Sequence, residues 1–194
     1  NVDCKPEYLQ QFAVMGSAYA EKVMGKKNPK VGLLNIGAED TKGRELEVET
    51  YKLLEKSGLN FGGNIEARDL PKGDFDVVVT DGFTGNIVLK LYEGMGSFFA
   101  KKMKWIFSGA GVLGALFSMG KIKSFKKQMD YRETGGSVLM GAKKPVIKAH
   151  GSSNANAVKN AIRQAINYAE TGVIVSIARE TKLFTATKST IESE

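Results

Sequence analysis

Residues 77–90 read VVVTDGFTGNIVLK, and the fold turns on them. Three β-branched residues run into Asp81-Gly82, pass Phe83-Thr84-Gly85, and become apolar again after Asn86. A short β-branched run without alternation is the pattern of a strand buried on both faces, as in a parallel sheet. The apolar stretch from Asn86 onward reads as a helix. The unit is therefore strand, glycine-containing loop, helix.

The same unit recurs on both sides. Upstream, VGLLNI (31–36) is a strand, GAEDTKG (37–43) a loop, and Arg44–Ser57 a helix with Leu46, Thr50, Leu53 and Leu54 inward, closed by Gly58. Before it, Pro6 to about Met24 is a helix with Leu9, Phe12, Ala13, Gly16, Ala20, Val23 and Met24 on one face. Asn64-Ile65-Glu66 reads as a short strand and Phe75–Thr80 as a stronger one. Downstream, PVIKA (145–149) is a strand, HGSSN (150–154) a loop, and a long helix follows from Asn154. Its expected inward face is Ala155, Val158, Ala161, Ile162, Ala165, Ile166 and Ala169. Alternation of this kind predicts an α/β fold with a mostly parallel sheet. We expect one α/β domain over 1–180, an inserted helical hairpin over 98–129, and a frayed tail over 181–194.

Composition is that of a globular chain: 194 residues, 42% hydrophobic and 25% charged. The single cysteine, Cys4, excludes an internal disulfide and fits a reducing compartment. No stretch reads as a signal peptide or approaches the roughly 20 apolar residues of a spanning helix. The first residue is Asn1 rather than methionine, within sequence that reads as structured, so we expect a portion of a longer protein. A net charge of +7 suits acidic partners, among them phosphate compounds, anionic lipid and an acidic carrier protein. Nucleic acid fits poorly, because the lysines cluster with apolar residues rather than with exposed stacking aromatics.

In open parallel sheets, ligands bind beyond the carboxyl ends of the strands. The three loops there carry glycine and small polar residues: Gly37 and Gly43 in the first, Gly82, Thr84 and Gly85 in the second, Ser152, Ser153 and Asn154 in the third. Glycine allows close backbone approach, and a following helix presents unpaired N–H groups to an anion. The hydroxyls also suit plain helix capping. Lys42 is a cation where a turn needs none, and lysine serves phosphate as a mobile point charge. His150, the only histidine, is either a proton donor or a loop organiser. No loop matches the P-loop or the dinucleotide fingerprint. The expectation is a phosphate or phosphorylated ligand, with no metal and no cofactor.

Between lysines 101, 102, 104 and 121, 123, 126, 127 lies SGAGVLGALFSMG (108–120). Large apolar groups flanked by lysine suit a membrane-surface anchor, with Val112, Leu113, Leu116 and Phe117 at the tip. A helical pair packed on a dimer partner is the other reading.

NVDCKPEYLQQFAVMGSAYAEKV (1–23), VGLLNIGAEDTKG (31–43), DVVVTDGFTGNIVLK (76–90) and KPVIKAHGSSNANAVKNAI (144–162) closely resemble the bacterial phosphate acyltransferase family, PlsX, of phospholipid synthesis. The resemblance implies a three-layer α/β/α fold akin to phosphotransacetylases and isocitrate and isopropylmalate dehydrogenases. It implies a cytoplasmic homodimer that works peripherally at the inner face of the membrane. The implied reaction converts acyl-[acyl carrier protein] and inorganic phosphate to acyl phosphate and free carrier. Family members carry an N-terminal segment ahead of the matched region, supplying part of the sheet and cleft. On this reading Lys42 and Asn86 act on phosphate or the reacting carbonyl, the N–H groups around Thr84 and Gly85 assist, and His150 serves the departing sulfur. Two rivals stand beside it: a phosphotransacetylase-like transferase using acyl-coenzyme A, and a non-catalytic membrane- or carrier-binding fragment. A dehydrogenase of the related fold would need a nicotinamide and a carboxylate cluster for a metal, which the loops lack.

Overall fold

A computed structural model describes residues 1–106, 135–151 and 153–191, with the backbone alone at 104, 106 and 183–191. These residues group into two compact units.

The first unit comprises residues 1–85, 139–146 and those from 166 onward. Its centre is β1 (Val31–Asn35), whose first four residues are buried. Parallel neighbours lie on both sides, β2 (Phe61–Glu66) and β3 (Val77–Val79), giving the order β2-β1-β3. Val31 stands opposite Phe61 and Val77, and Leu33 opposite Asn64 and Val79. The unbroken apolar run VGLL thus has the reason expected of it: a central strand covered on both faces.

Helix α1 (Pro6–Lys22) starts on a proline, whose missing N–H would have no partner there anyway. It buries Leu9, Ala13, Val14, Ala18 and Ala20, while Met24, expected on the inward face, lies beyond the helix and is exposed. Gly16 sets its approach to the sheet, since a Cβ there would come within 2.6 Å of Val77 Cγ1. Leu9, Ala13, Val31, Leu33, Leu54 and Val79 form the core, ringed by Cys4, Phe12, Leu46, Tyr51 and Phe61. Leu54 comes from α2 (Glu45–Glu55).

Strand β2 begins before the Asn64 expected from sequence and takes in Gly62 and Gly63. Those glycines weaken the strand signal but make room. A Cβ on Gly62 or on Gly32 would come within 2.7 Å of the Phe75 ring, which lies over both strands under the Lys30 ammonium, 4.4 Å from the ring centroid. A 3-10 turn (Ala67–Lys72) then leads to β3.

Helix α3 (Gly82–Ile106) starts at Gly82, so DGFTGN is no loop: it is the helix's cap and first turn. Asn86 therefore lies one turn inside the helix, correcting the expectation that it begins there.

The second unit comprises residues 86–138 and 147–165. Here β4 (Ser137–Val138) pairs antiparallel with β5 (Ile147–Lys148). The PVIKA stretch is thus a strand, but of a separate two-stranded ribbon and not of the parallel sheet. Helix α4 (Ala155–Glu170) buries Ala157, Asn160 and Ala161, while Val158 and Ile162 are exposed. Gly135, at φ +95°, lies against this face: a Cβ on it would come within 2.5 Å of the Ala161 nitrogen, so glycine is what this contact requires. The inward face read from sequence is corrected accordingly, with Ala155, Val158, Ile162, Ile166 and Ala169 outward.

In the first unit the end of α4 places Tyr168 beside Tyr19, ring centroids 6.1 Å apart. The last helix, α5 (Val173–Ile191), packs on α1 and runs well into the stretch expected to fray. The apolar tip, Val112, Leu113, Leu116 and Phe117, and Ser152 lie outside the described residues.

Candidate active site

At the carboxyl ends of the three parallel strands stand three small polar side chains, each holding a loop. Asn35 ends β1; its Nδ2 donates to the Lys42 carbonyl at 2.9 Å and its Oδ1 accepts the Ile36 N–H at 2.8 Å. Asn64, near the end of β2, donates Nδ2 to the Glu39 carbonyl at 2.6 Å. The Lys42 N–H reaches that same carbonyl at 3.2 Å. Residues 37–43 are thus pinned through two carbonyl oxygens to two strands.

In this loop Gly43 is required by its backbone, and Gly37 lies against two flexible side chains. Gly43 has φ +100°, and a Cβ there would come within 2.7 Å of both Asn35 Oδ1 and Glu47 Cβ. Gly37 is buried, and a Cβ there would come within 2.9 Å of Lys42 Cγ and Glu39 Oε2. Lys42 is exposed, and among the described residues no ion pair engages its ammonium. Glu39 and Asp40 are exposed in the same loop, so it is not uniformly cationic.

Asp81, 2% exposed, follows β3 and caps α3. Its Oδ1 accepts the Thr84 N–H at 2.7 Å and its Oδ2 the Thr84 hydroxyl at 2.9 Å. Arg44 Nη2 donates to Asp81 Oδ2 at 2.6 Å and also pairs with Glu47. Glu47 in turn accepts the Arg44 backbone N–H at 2.8 Å, capping α2. Burial pushes the Asp81 carboxyl up, but the Thr84 N–H, the Arg44 guanidinium and the Thr84 hydroxyl together hold it below the ordinary carboxylate range. The bonds to Glu47 and then Asp81 raise Arg44 further above its already high value.

This cap changes what the second loop offers. The Thr84 N–H is taken by Asp81 Oδ1, the Gly85 N–H by the Asp81 carbonyl at 2.9 Å, and the Gly82 N–H by the Asn1 carbonyl at 2.6 Å. The backbone donors at Thr84 and Gly85 that sequence assigned to a ligand are therefore engaged within the protein. Gly82 and Gly85 act through close packing: a Cβ would come within 2.5 Å of the Asn1 oxygen and 2.8 Å of Thr80 Cγ2 respectively.

The first unit thus brings Gly37, Lys42 and Gly43 into one linked network with Gly82, Thr84 and Gly85. In the second unit, Asn86 is exposed on α3. His150 is exposed, and its carbonyl accepts the Ser153 N–H at 3.0 Å. Asn154 caps α4, with Oδ1 accepting the Ala157 N–H at 2.9 Å. Asn35, Asn64 and Arg44 escaped the sequence reading. Only the Asp81–Thr84 spacing, a capping signature, carried a local signal for this network. Among the described residues, no group of three or more His, Cys, Asp or Glu is placed to hold a metal.

Residues 1–176 match a family described as "Fatty acid synthesis protein". A Clostridium acetobutylicum protein named "Phosphate acyltransferase" is 52% identical over 93% of this chain and 55% of its own length. Proteins of the same name from Bacillus pumilus and Clostridium botulinum are 50% and 55% identical, over 97% and 85% of this chain and 58% and 50% of theirs. The chain spans little more than half the length of these relatives. The match over residues 1–176 makes this chain a member of the fatty acid synthesis protein family.

Proposed function

We propose that the chain is part of a phosphate acyltransferase that converts acyl-[acyl carrier protein] and inorganic phosphate to acyl phosphate and free carrier. The observation that carries the reading is Lys42: an exposed ammonium, without an ion pair among the described residues, on a loop pinned at the carboxyl edge of a parallel sheet. The printed name of the relatives supports the same chemistry.

A phosphate oxygen attacks the thioester carbon, a tetrahedral oxyanion forms, and the C–S bond breaks. The proton of hydrogen phosphate passes to the departing sulfur, which leaves as thiol. Phosphate is already ionised at neutral pH, so no enzyme nucleophile is needed, and catalysis rests on positioning and on charge stabilisation. Lys42 orients phosphate or stabilises the oxyanion. Asn86 donates its amide to the carbonyl or to phosphate, and Ser152, Ser153 and Asn154 are assigned to substrate binding. His150 serves the sulfur or organises its loop. No cofactor enters this scheme.

The net charge of +7 suits an acidic carrier protein better than a neutral partner. A coenzyme A thioester is the competing donor, and rates on the two thioesters separate them. We also assign the chain to a homodimer acting peripherally at the inner face of the cytoplasmic membrane. Support for the membrane comes from the end of α3, where Phe98, Phe99 and Trp105 are exposed and Lys102 Nζ lies 5.8 Å and 5.7 Å from the Phe98 and Trp105 ring centroids. No described helix is long and apolar enough to cross a membrane.

The test is phosphate-dependent thiol release from long-chain acyl carrier protein, measured with the rest of the family's sequence supplied. Lys42→Ala and Asn86→Ala are expected to lose about 100-fold or more. Turnover near the parent's in both variants would sink the assignment.

A further inference from the structure

We propose that Arg44 is a positioning residue, a latch that sets the spacing between the Lys42 loop and the first turn of α3 through its pair with Asp81. The proposal rests on the phosphate reading of Lys42.

Arg44 invites a simpler role as the second phosphate-binding cation. The charges argue against it. Its guanidinium faces both Glu47 and Asp81, so the trio is net negative and offers phosphate no attraction. Lys42 remains the cation available to a ligand, and the role left to Arg44 is mechanical.

The connection is continuous. Asn35 holds the Lys42 carbonyl, Gly43 makes the φ +100° turn, and Arg44 follows at once as the cap residue of α2. Its side chain then reaches Asp81, whose other contacts are the Thr84 N–H and hydroxyl in the first turn of α3. A shift of the Lys42 loop relative to the first turn of α3 strains a charge-assisted bond to a carboxylate that is 2% exposed. Transfer between two bound groups depends steeply on their separation, which is what such a latch would hold constant.

Two measurements on the chain, with the rest of the family's sequence supplied, test this. Backbone amide resonances of Lys42 and Gly43 are expected to move in Asp81→Asn, 37 positions beyond Arg44, and to stay in place in Lys72→Ala, at an exposed ion pair. Unmoved resonances in Asp81→Asn overturn the latch. Titration with inorganic phosphate should show affinity about tenfold weaker in Arg44→Gln, partly restored in Arg44→Lys. Ser57→Ala, which removes a hydroxyl bond at the far end of α2, should bind as the parent does, so that loss of general stability is not mistaken for loss of positioning. Parent-like binding in Arg44→Gln together with lost binding in Lys42→Ala overturns the latch. Binding that survives Lys42→Ala overturns the phosphate reading instead, and the amide resonances then decide the latch independently.

Discussion

Arg44 and Asp81 meet at 2.6 Å across 37 residues of sequence, one side chain 61% exposed and the other 2%. The asymmetry predicts unequal costs. Asp81→Ala removes the α3 cap as well as the ion pair, and should cost about 2–3 kcal/mol. Arg44→Ala loses a solvent-screened pair and should cost about 1 kcal/mol, because Asp81 keeps both Thr84 contacts. Urea denaturation gives both values. Equal losses in the two variants would contradict the capping role.

The same carboxylate predicts acid sensitivity. Its folded-state pKa lies below the unfolded one, so its contribution is complete above about pH 4 and is lost as pH falls through the folded value. The stability gap between the parent and Asp81→Asn should therefore narrow below about pH 4. A constant gap from pH 7 to pH 3 would exclude Asp81 as its source.

Gly43→Ala should cost about 1–3 kcal/mol for the φ +100° backbone alone. The added methyl also collides with Asn35 Oδ1, so the clamp on Lys42 should loosen. Thermal melting measures the first effect and the Lys42 amide resonance the second. Gly58→Ala, with positive φ but open space around it, should lose stability while leaving that resonance in place.

Tyr168→Phe should stabilise the chain by about 1 kcal/mol. Its hydroxyl is buried beside Tyr19 and has no hydrogen-bond partner among the described residues, so its removal deletes an unmatched polar group without opening a large cavity. A fall in melting temperature would show that the hydroxyl is in fact satisfied.

Leu113→Asp with Phe117→Asp should abolish flotation with vesicles rich in anionic lipid and leave soluble-phase thiol release at the parent level. Unchanged flotation would remove the tip from the membrane proposal.

Most of the first unit was legible because its information is local. VGLL carries no alternation, and only a strand covered on both faces accommodates that. The start of α3 was misread for an equally local reason. Gly82 and Gly85 look like turn residues, whereas one is there for the Asn1 carbonyl and the other for Thr80. The PVIKA strand shows a different limit: five residues cannot say which sheet they join, and here they pair antiparallel with Ser137–Val138. In α4 the sequence pattern puts alanines and larger branched residues on one inward face, whereas the helix buries Ala157, Asn160 and Ala161 beside the Gly135 backbone and leaves Val158 and Ile162 exposed. The site divides the same way. Glycine and Lys42 mark the loop in sequence, while the Arg44–Asp81 pair leaves no periodic trace.

The clamps on residues 37–43 are of two kinds, and the difference has a consequence in solution. Asn35 and Asn64 hold the loop by neutral amide-to-carbonyl bonds, whereas Arg44 and Asp81 join it to α3 by opposite charges with one partner open to solvent. Added electrolyte weakens the second kind and leaves the first nearly untouched. Raising ionic strength should therefore separate two properties that every substitution mixes: the internal shape of the Lys42 loop, which would persist, and its distance from the first turn of α3, which would begin to fluctuate.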